Sequence, residues 1–421
     1  MAGLSRRGQG AQEQPISGLM ERALGSPKLI SLAAGFVDPQ TLPIDAVRDA
    51  FAGLFADEQR ARDALQYGTT AGSAALRDWI REQARLRDGG GAERLTREQV
   101  VVTAGSNQLL HLVVESLCDS GDIVLCAAPT YLVFLGTLAH VGAQAVGVST
   151  DAEGMQPAAL IEALEKLRAN SELPRVKAIY LVTHFDNPCG ITMPPARMAE
   201  IIEIAHRFSV HHRLVVIADE AYRELRYGVP DLPGALRVDP DGETVIVAGT
   251  FSKSFSPGLR IGWGILPRRL VDPICHQKGN IDFGSPHFSQ SLMTQVVTQG
   301  QFASHLERLR AAYRVKRDAM LEAAETHFRA LKGVTWNVPD GGLYIWVTLP
   351  TEIDAGPHGP LLDKAIDRGV LYVPGQYTYP RLGQPVANNT MRLSFGVQTP
   401  ERIQQGIAAL AEAIRAVQVV S

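Results

Sequence analysis

Short apolar runs alternate with amphipathic segments through the middle of the chain. Five of these runs are apolar at nearly every position rather than at every second one: residues 99–105, 122–129, 177–185, 214–222 and 244–253. A strand that is apolar on both faces is buried on both faces, which is typical of a parallel sheet covered by helices. The segments between the runs have helical periodicity. The pattern therefore predicts an α/β domain.

The pattern changes toward the C-terminus. Residues 302–328 have helical periodicity without Gly or Pro, and "GGLYIWVTLP" then alternates as a strand does. We interpret this part as a smaller α+β domain. The predicted organisation is a flexible N-terminal arm, a large domain, and a small domain built from two segments. The predicted boundaries are 1–25 for the arm, 65–295 for the large domain, and 26–64 with 296–421 for the small domain.

Composition narrows the class of partner. The chain has 421 residues and a formal net charge of −3, which gives no sign of a nucleic-acid or anionic-membrane partner. The four cysteines lack CxxC or zinc-ligand spacing, so we expect free thiols and no metal. The N-terminus lacks the apolar core of a signal peptide, and no run approaches the ~20 apolar residues of a membrane helix. We therefore expect a cytoplasmic protein that binds small polar molecules.

Polar residues follow each of the five predicted strands at the point where the strand ends. In an open α/β sheet, ligands bind beyond the carboxyl ends of the strands. Five such ends that converge on one crevice predict one site. The residues are Gly105-Ser106-Asn107, Pro129-Thr130-Tyr131, Asn187-Pro188, Asp219 with Tyr222, and Ser252-Lys253.

The first two strand ends are compatible with a phosphate and a planar ring. Ser106 and Asn107 follow a glycine turn that opens a helix, where free N–H groups and the helix dipole favour an anion. An ordinary N-cap has the same sequence. The ring of Tyr131 either covers a planar ligand or packs in the core.

The last two strand ends carry charge. Asp219 ends a very apolar strand and needs a partner, either a protonated ring nitrogen or groups of the protein itself. A desolvated lysine at position 253 would form a Schiff base, whereas a surface loop would leave it inert. The hydroxyls of Ser252 and Ser254 and the guanidinium of Arg260 beside this amine suit a phosphate.

These ordered motifs resemble the class I/II aminotransferases of pyridoxal-5′-phosphate (PLP) fold type I, and most closely the 2-aminoadipate/kynurenine/aromatic branch. The motifs are "SKSFSPGLRIGW", "DEAYREL", "DNPCG" and "MRLSFG", and the resemblance covers nearly all of the chain after residue 28. It implies a large domain with a mostly parallel seven-stranded sheet flanked by helices and a smaller α+β domain. It also implies PLP as cofactor and a homodimer with shared active sites.

The resemblance implies a role for each residue around the cofactor ring. Lys253 would carry PLP and later move the Cα proton of the substrate. Asp219 would pair with the ring nitrogen and keep it protonated. Asn187 and Tyr222 would bind the ring oxygen, and Tyr131 would stack on the ring.

The resemblance also implies how the phosphate and the substrate are bound. The phosphate would be held by Ser106, Asn107, Ser252 and Arg260, and by Tyr67 of the neighbouring subunit. The substrate α-carboxylate would be gripped by Arg392 in bidentate geometry, together with Asn187 and the backbone of Gly35.

Several positions depart from the family pattern. Asp186 replaces the usual Gln before Asn-Pro, Cys189 replaces a Thr, and Thr250 replaces a Ser. We expect Asp186 to face solvent and the nearby His184 to be structural. In the N-terminal helix, Arg22 is the nearest candidate for a substrate side-chain contact, although Gly18 falls nearer the expected place.

Amino transfer between an L-amino acid and a 2-oxo acid by a ping-pong mechanism is the favoured hypothesis. PLP-binding motifs do not separate it from lyase, oxidase or C–C bond-forming chemistry on the same fold, because fold does not fix reaction. A third hypothesis is a ligand sensor, as in transcription regulators that carry an aminotransferase-like domain. Too few residues precede Gly35 for a helix-turn-helix module, and the chain is not basic.

Overall fold

The computed structural model describes residues 29–418 and six isolated positions before them: 3, 8, 17, 18, 21 and 25. Gly18 is one of these six. Apart from them, the predicted N-terminal arm over 1–25 lies outside the described residues, and Arg22 lies outside as well.

The described elements alternate between strands and helices over the first two thirds of the chain. The strands are β1 (Ile30–Ser31), β2 (Val100–Thr103), β3 (Ile123–Ala128), β4 (Gln144–Asp151), β5 (Gly154–Met155), β6 (Val176–Val182), β7 (Val215–Asp219), β8 (Val245–Thr250), β9 (Gly262–Ile265), β10 (Thr335–Trp336), β11 (Tyr344–Thr348), β12 (Val370–Leu371), β13 (Val373–Pro374) and β14 (Thr390–Ser394). The α-helices are α1 (Ile44–Phe55), α2 (Glu58–Leu65), α3 (Ala74–Asp88), α4 (Ser106–Leu117), α5 (Leu132–Val141), α6 (Pro157–Ala169), α7 (Pro195–Phe208), α8 (Arg268–Asp282), α9 (His287–Thr298), α10 (Gln301–Phe328), α11 (Pro360–Asp367) and α12 (Pro400–Gln418).

The large sheet has the strand order β2-β9-β8-β7-β6-β3-β4-β5. β9 runs antiparallel to both of its neighbours, and the two-residue β5 forms a hairpin with β4. The other six strands are parallel to one another. The predicted α/β fold with a mostly parallel seven-stranded sheet is confirmed, and β5 adds a short eighth strand at the edge.

Both faces of this sheet are buried, as the continuous apolar runs predicted. In β7, Val216 packs into one hydrophobic core and Ile217 into a second core on the opposite face. Successive strand residues point to opposite faces, so two helical layers must cover the sheet. The carboxyl ends of β2, β3, β6, β7 and β8 then meet at one edge.

Two smaller sheets bring distant parts of the chain next to this edge. β10, β11, β14 and β13 form an antiparallel sheet, and β1 pairs in parallel with β12. β1 ends at Ser31, although the sequence stays apolar through Ala34. Residues 33–35 continue beyond the sheet, and the carbonyl groups of Ala33 and Gly35 accept hydrogen bonds from side chains of the candidate site instead. The boundaries of the domains stay a prediction.

No helix among the described residues is long and apolar enough to cross a membrane.

Candidate active site

An anion-binding surface lies at the start of α4. Gly105 precedes this helix with φ of 86°, and Ser106 and Asn107 form its first turn. The first N–H groups of a helix have no partner within the helix, and the dipole makes this end positive. The predicted phosphate contacts therefore stand where a helix attracts an anion.

The loop that carries Arg260 closes over this helix start. Arg260 adopts φ of 53° and ψ of 49°, the left-handed region that few residues other than glycine enter. Its Nη2 donates to the Ala104 carbonyl at 3.3 Å. A Cβ at Gly262 would lie 2.3 Å from Ser106 N, and one at Gly105 would lie 2.5 Å from Arg260 Nη2. Glycine at both positions lets the guanidinium and the helix start share one small cradle.

Ser252 is held beside this cradle by its neighbour. Thr250 Oγ1 accepts a hydrogen bond from Ser252 N at 3.1 Å, and it lies 3.0 Å from Ser252 Oγ and 3.1 Å from the Ile261 carbonyl. Thr250, a departure from the family pattern, therefore orients a predicted phosphate ligand. Ser254 is buried and lines a cavity with Thr250, Trp79 and Trp263.

Lys253 is half-buried and donates from Nζ to the Gly35 carbonyl at 2.7 Å. It has no ion pair with an acidic side chain of the described residues. Burial lowers the pKa of Lys253, and the nearby guanidinium groups of Arg392 and Arg260 lower it further, against an opposing effect of Tyr344. A lysine amine with a lowered pKa is a better nucleophile near neutral pH.

Asp219 is the buried carboxylate of the site, with 3% of its surface exposed. It accepts hydrogen bonds from Tyr180 Oη at 2.9 Å and from Ala221 N at 3.0 Å, and both donors are neutral. Burial raises the pKa of Asp219 to about 6, although these two hydrogen bonds oppose the shift. A buried carboxylate without a cationic partner is well placed to bind a cationic ligand atom.

Arg392 is the buried cation of the site. Its Nη1 donates to Asn187 Oδ1 at 2.7 Å and its Nη2 to the Ala33 carbonyl at 2.8 Å. The guanidinium lies 4.3 Å from the ring centroid of Tyr344. Its Nε is buried and has no hydrogen-bond partner among the described residues. The guanidinium is 3% exposed and has no acidic partner in the described part of the chain, so its full charge is left for an anionic ligand.

Two tyrosines connect the lysine to the arginine. Tyr222 Oη lies 3.0 Å from Tyr344 Oη, and Lys253 Nζ lies 6.0 Å from the centre of the Tyr222 ring. Tyr344 also limits residue 35, because a Cβ at Gly35 would lie 2.6 Å from Tyr344 Oη. Burial raises the pKa of Tyr222 well above its ordinary value, so its hydroxyl stays protonated.

Tyr131 stands between the cradle and the carboxylate. It precedes α5, and its hydroxyl lies 3.4 Å from Asn107 Oδ1. Burial raises its pKa, and the charge of Asp219 adds to this shift. Tyr67 is the one predicted cofactor contact that stands apart, because its side chain is 81% exposed and packs against Phe283.

The expectation that Asp186 faces solvent is wrong. Asp186 is half-buried, and its Oδ1 accepts from Ile191 N at 2.7 Å across the turn that follows Asn187. Burial raises its pKa to about 7 against the backbone hydrogen bonds of the turn. His184 is buried and bonded through both ring nitrogens to Thr183 Oγ1 and the Leu232 carbonyl, as expected for a structural histidine.

Tyr180 and Tyr344 belong to the site, and sequence reasoning did not select either of them. Tyr180 lies inside β6, and Tyr344 begins β11, so both read as core residues of apolar strands. The only signal in the sequence was indirect: the hydroxyl of a buried tyrosine needs a hydrogen-bond partner.

These residues fit a phosphorylated pyridine aldehyde. The cradle at the start of α4 offers free N–H groups and a guanidinium that suit a phosphate, Asp219 has no cationic partner among the described residues, and Lys253 has an amine of lowered pKa. A profile of the family described as aminotransferase class I and II matches residues 27–410. The chain belongs to the class I and II aminotransferases.

Individual aminotransferases are similar to this chain over nearly its whole length. An aromatic-amino-acid aminotransferase of Thermococcus litoralis is 34% identical over 92% of this chain and 88% of its own. The kynurenine aminotransferase of Pyrococcus horikoshii, solved in complex with PMP, superposes with a TM-score of 0.89 at 34% identity over 98% and 97% of the two chains. The α-aminoadipate aminotransferase of Thermus thermophilus, complexed with N-(5′-phosphopyridoxyl)-L-leucine, gives 0.85 at 28% identity over 99% and 98%.

The fold, the cofactor and the reaction class agree across these comparisons. The protein is a PLP-dependent aminotransferase of fold type I, and its substrates are amino acids and 2-oxo acids. The comparisons favour amino transfer over the lyase, oxidase and bond-forming alternatives.

Proposed function

We propose that this aminotransferase works by a ping-pong mechanism in which Lys253 holds the cofactor and moves the substrate's Cα proton. The single observation that carries the proposal is the pair of cationic side chains held by one short segment. Ala33 and Gly35 each offer a carbonyl, one to Arg392 at 2.8 Å and one to Lys253 at 2.7 Å. The segment therefore fixes where a carboxylate binds relative to where a proton is taken.

Each residue then has a defined task. PLP, when bound, supplies an aldehyde that joins an amine and a ring that accepts the electron pair released at Cα. Asp219 stabilises a protonated ring nitrogen, because its present hydrogen-bond partners are neutral. Asn187 and Tyr222 donate to the ring oxygen, and Tyr131 covers the ring.

The same assignment covers the phosphate and the proton. Ser106, Asn107, Ser252 and Arg260 hold the phosphate in the cradle at the start of α4. When its amine is not engaged by the cofactor, Lys253 would accept the Cα proton as a general base. Its lowered pKa keeps a larger fraction of the amine neutral at a given pH.

Arg392 selects α-amino acids through their carboxylate. The Arg392 guanidinium can bind a carboxylate in bidentate geometry, because no acidic side chain of the described residues neutralises its charge. Asn187 and Tyr344 hold the guanidinium in place. The names of the relatives suggest aromatic, kynurenine or 2-aminoadipate side chains as the first donors to test.

A single half-reaction tests amino transfer. Protein loaded with PLP is mixed with one equivalent of L-phenylalanine, L-kynurenine or L-2-aminoadipate, and the products are quantified. We expect one equivalent of the matching 2-oxo acid and no ammonia, because the amino group stays on the enzyme until an oxo acid removes it. Ammonia or a coupled product would contradict the proposal.

We also propose that two chains share their active sites in a homodimer. Large apolar side chains are exposed along α1 and α2, at the end of α8 and just after it, and an apolar surface of this kind is typical of a subunit interface. They are Ile44, Phe51, Phe55, Leu65, Ile281 and Phe283. Tyr67 stands among them, so a second chain that covers this surface would receive its hydroxyl.

Complementation tests the shared site. Lys253→Ala and Tyr67→Ala chains are each expected to have little activity alone. A mixed dimer has one site with both residues intact if Tyr67 serves the other chain, so mixing should restore about a quarter of wild-type activity if exchange is random. No recovery in a mixture shown to exchange subunits would contradict sharing.

A cytoplasmic location completes the proposal. All four cysteines are free thiols in the structure, and thiols persist in a reducing compartment. Fractionation of the source cells, with the activity in the soluble cell extract, is the expected result.

A further inference from the structure

Three metal-binding side chains converge at the end of the large sheet opposite the active site. His206 lies in the last turn of α7, and Asp239 and Asp241 lie in the loop that leads into β8. Each offers one ligand atom, and these atoms lie within 4.8 Å of one another. The active-site residues follow the other end of β8, about 17 Å away along the strand.

Asp239 has a buried oxygen without a partner. The residue is 1% exposed, and its Oδ2 accepts from Thr244 N at 3.2 Å and from Val245 N at 2.9 Å. Its Oδ1 is buried and has no hydrogen-bond donor among the described residues. A buried carboxylate oxygen without a hydrogen-bond donor is unfavourable, so a proton or a cation at this atom would stabilise it.

The surrounding groups leave the cluster negative. Asp241 accepts from Glu243 N at 3.0 Å and pairs with Arg213 at 2.9 Å. Thr244 Oγ1 lies 2.7 Å from His206 Nε2 and holds the imidazole beside the carboxylates, while Arg213 also approaches Thr244 Oγ1 at 3.4 Å. Two carboxylates face one guanidinium and one imidazole, so the net charge is −1 when the histidine is neutral and both carboxylates are ionised.

We propose that His206, Asp239 and Asp241 bind one divalent cation of the class that accepts imidazole and carboxylate ligands together, such as Zn²⁺ or Mn²⁺. Mg²⁺ and Ca²⁺ prefer all-oxygen sites, so they bind more weakly here. The bound ion joins the end of α7 to the loop before β8. Its role is structural, because the active site lies at the far end of the strand.

Metal titration of the PLP-loaded enzyme tests the site. The protein is stripped with a chelator, which is then removed, and Zn²⁺ or Mn²⁺ is titrated in a calorimeter. We expect one ion per chain in the wild type and at least about tenfold weaker binding in Asp241→Asn. Glu243→Gln is the matched control, since it removes the same charge from the same loop outside the cluster, and it should bind as the wild type does.

Thermal unfolding gives a second, independent measurement. Saturating metal should raise the unfolding midpoint of the wild type and of Glu243→Gln, but not that of Asp241→Asn, because an ion that binds only the folded state stabilises it. The inference is overturned if the wild type binds neither ion, if Asp241→Asn binds as tightly as the wild type, or if saturating metal leaves the wild-type midpoint unchanged.

Discussion

Two groups of buried charge lie on opposite sides of the end of β7. Asp219 faces the active site and has only neutral hydrogen-bond partners. The next residue, Glu220, belongs to a charge cluster that also contains Asp88, Arg223 and Asp231. In that cluster Arg223 pairs with Asp88 at 2.8 Å, Glu220 at 2.9 Å and Asp231 at 3.0 Å.

The difference separates structural charge from functional charge. In the charge cluster all three carboxylates pair with Arg223, and Arg87 also lies 3.8 Å from Asp231, so these ion pairs tie α3 to the loop after β7. Within the part of the chain that the structure describes, Asp219 of the active site has no cationic partner, and Lys253 and Arg392 have no acidic partner. Unmatched buried charge is unfavourable until a ligand of the opposite charge arrives, and PLP and an amino acid together bring both signs.

Lys253→Ala should remove most of the turnover without unfolding the protein. Turnover should fall by on the order of 10⁴-fold or more, because both the covalent anchor and the general base are lost. Lys177→Ala, at the amino end of β6, is the control and should keep full turnover. Wild-type activity in Lys253→Ala, measured by oxo acid release, would contradict the assignment.

Arg223→Ala should destabilise the fold and leave turnover nearly unchanged. Removing one partner of a buried ionic cluster leaves uncompensated charge, so the free energy of unfolding should fall by about 3–5 kcal/mol. The exposed Arg168, which pairs with Glu165, is the control and should change it by less than about 1 kcal/mol on substitution by Ala. Turnover per folded Arg223→Ala molecule should stay near wild type. A loss as large as that of Lys253→Ala would show that the charge cluster takes part in catalysis.

Arg392→Ala should raise the KM of every α-amino acid by roughly 30-fold or more, equivalent to about 2 kcal/mol of a buried charged contact. Arg392→Lys should recover part of the loss, since it keeps the charge without the bidentate geometry. Steady-state kinetics over several donors makes the measurement. An unchanged KM would mean that another cation binds the carboxylate.

Asp219 should make the cofactor-free protein sensitive to pH. Its folded pKa of about 6 exceeds the ordinary 3.8, so the folded state binds its proton more tightly than the unfolded state does. The resulting stability is present below about pH 4 and is lost as the pH rises through 6. At about pH 8, Asp219→Asn apoprotein should be more stable than wild type, by up to about 3 kcal/mol.

Urea unfolding at about pH 4 and pH 8, with and without PLP, checks this sign. The advantage of Asp219→Asn should vanish near pH 4, and PLP should reverse it at pH 8 by giving Asp219 a cationic partner. Asp122→Asn, a carboxylate at the other end of the sheet, is the control and should not respond to PLP. A wild-type apoprotein that is the more stable one at pH 8 would show that Asp219 already has a cation.

Tyr344→Phe should give the smallest effect. The ring over Arg392 remains, and one hydrogen bond to Tyr222 is lost, about 0.5–1.5 kcal/mol or a roughly 2- to 12-fold fall in kcat/KM. Tyr372→Phe loses a similar buried bond, to the Ala355 carbonyl, and should leave kcat/KM unchanged. Equal kinetic effects of the two variants would remove Tyr344 from the site.

The sequence predicted those site residues that directly follow an apolar strand. Continuous apolar runs identified β2, β3, β6, β7 and β8, and the polar residues after them converge as expected. It missed β4, whose ends are exposed, and β9, whose "GWGI" contains two glycines that pack against other elements. Local patterns do not record packing of that kind.

Contacts between distant segments were harder to predict. Asp219 and Glu220 are adjacent acids, and only the tertiary structure shows that one has a cationic partner and the other does not. Tyr344 reaches Tyr222 across 122 residues, and Asp186 turns inward because the following turn needs an acceptor. None of these depends on spacing along the chain.

The most direct test of the central claim is the visible absorption spectrum of the purified, PLP-loaded protein, recorded before and after L-amino acids are added. A band from the lysine-bound cofactor should fade with a donor amino acid and return when a 2-oxo acid is added. This band should be absent from Lys253→Ala. A wild-type protein that shows no such band even with excess PLP would contradict the account.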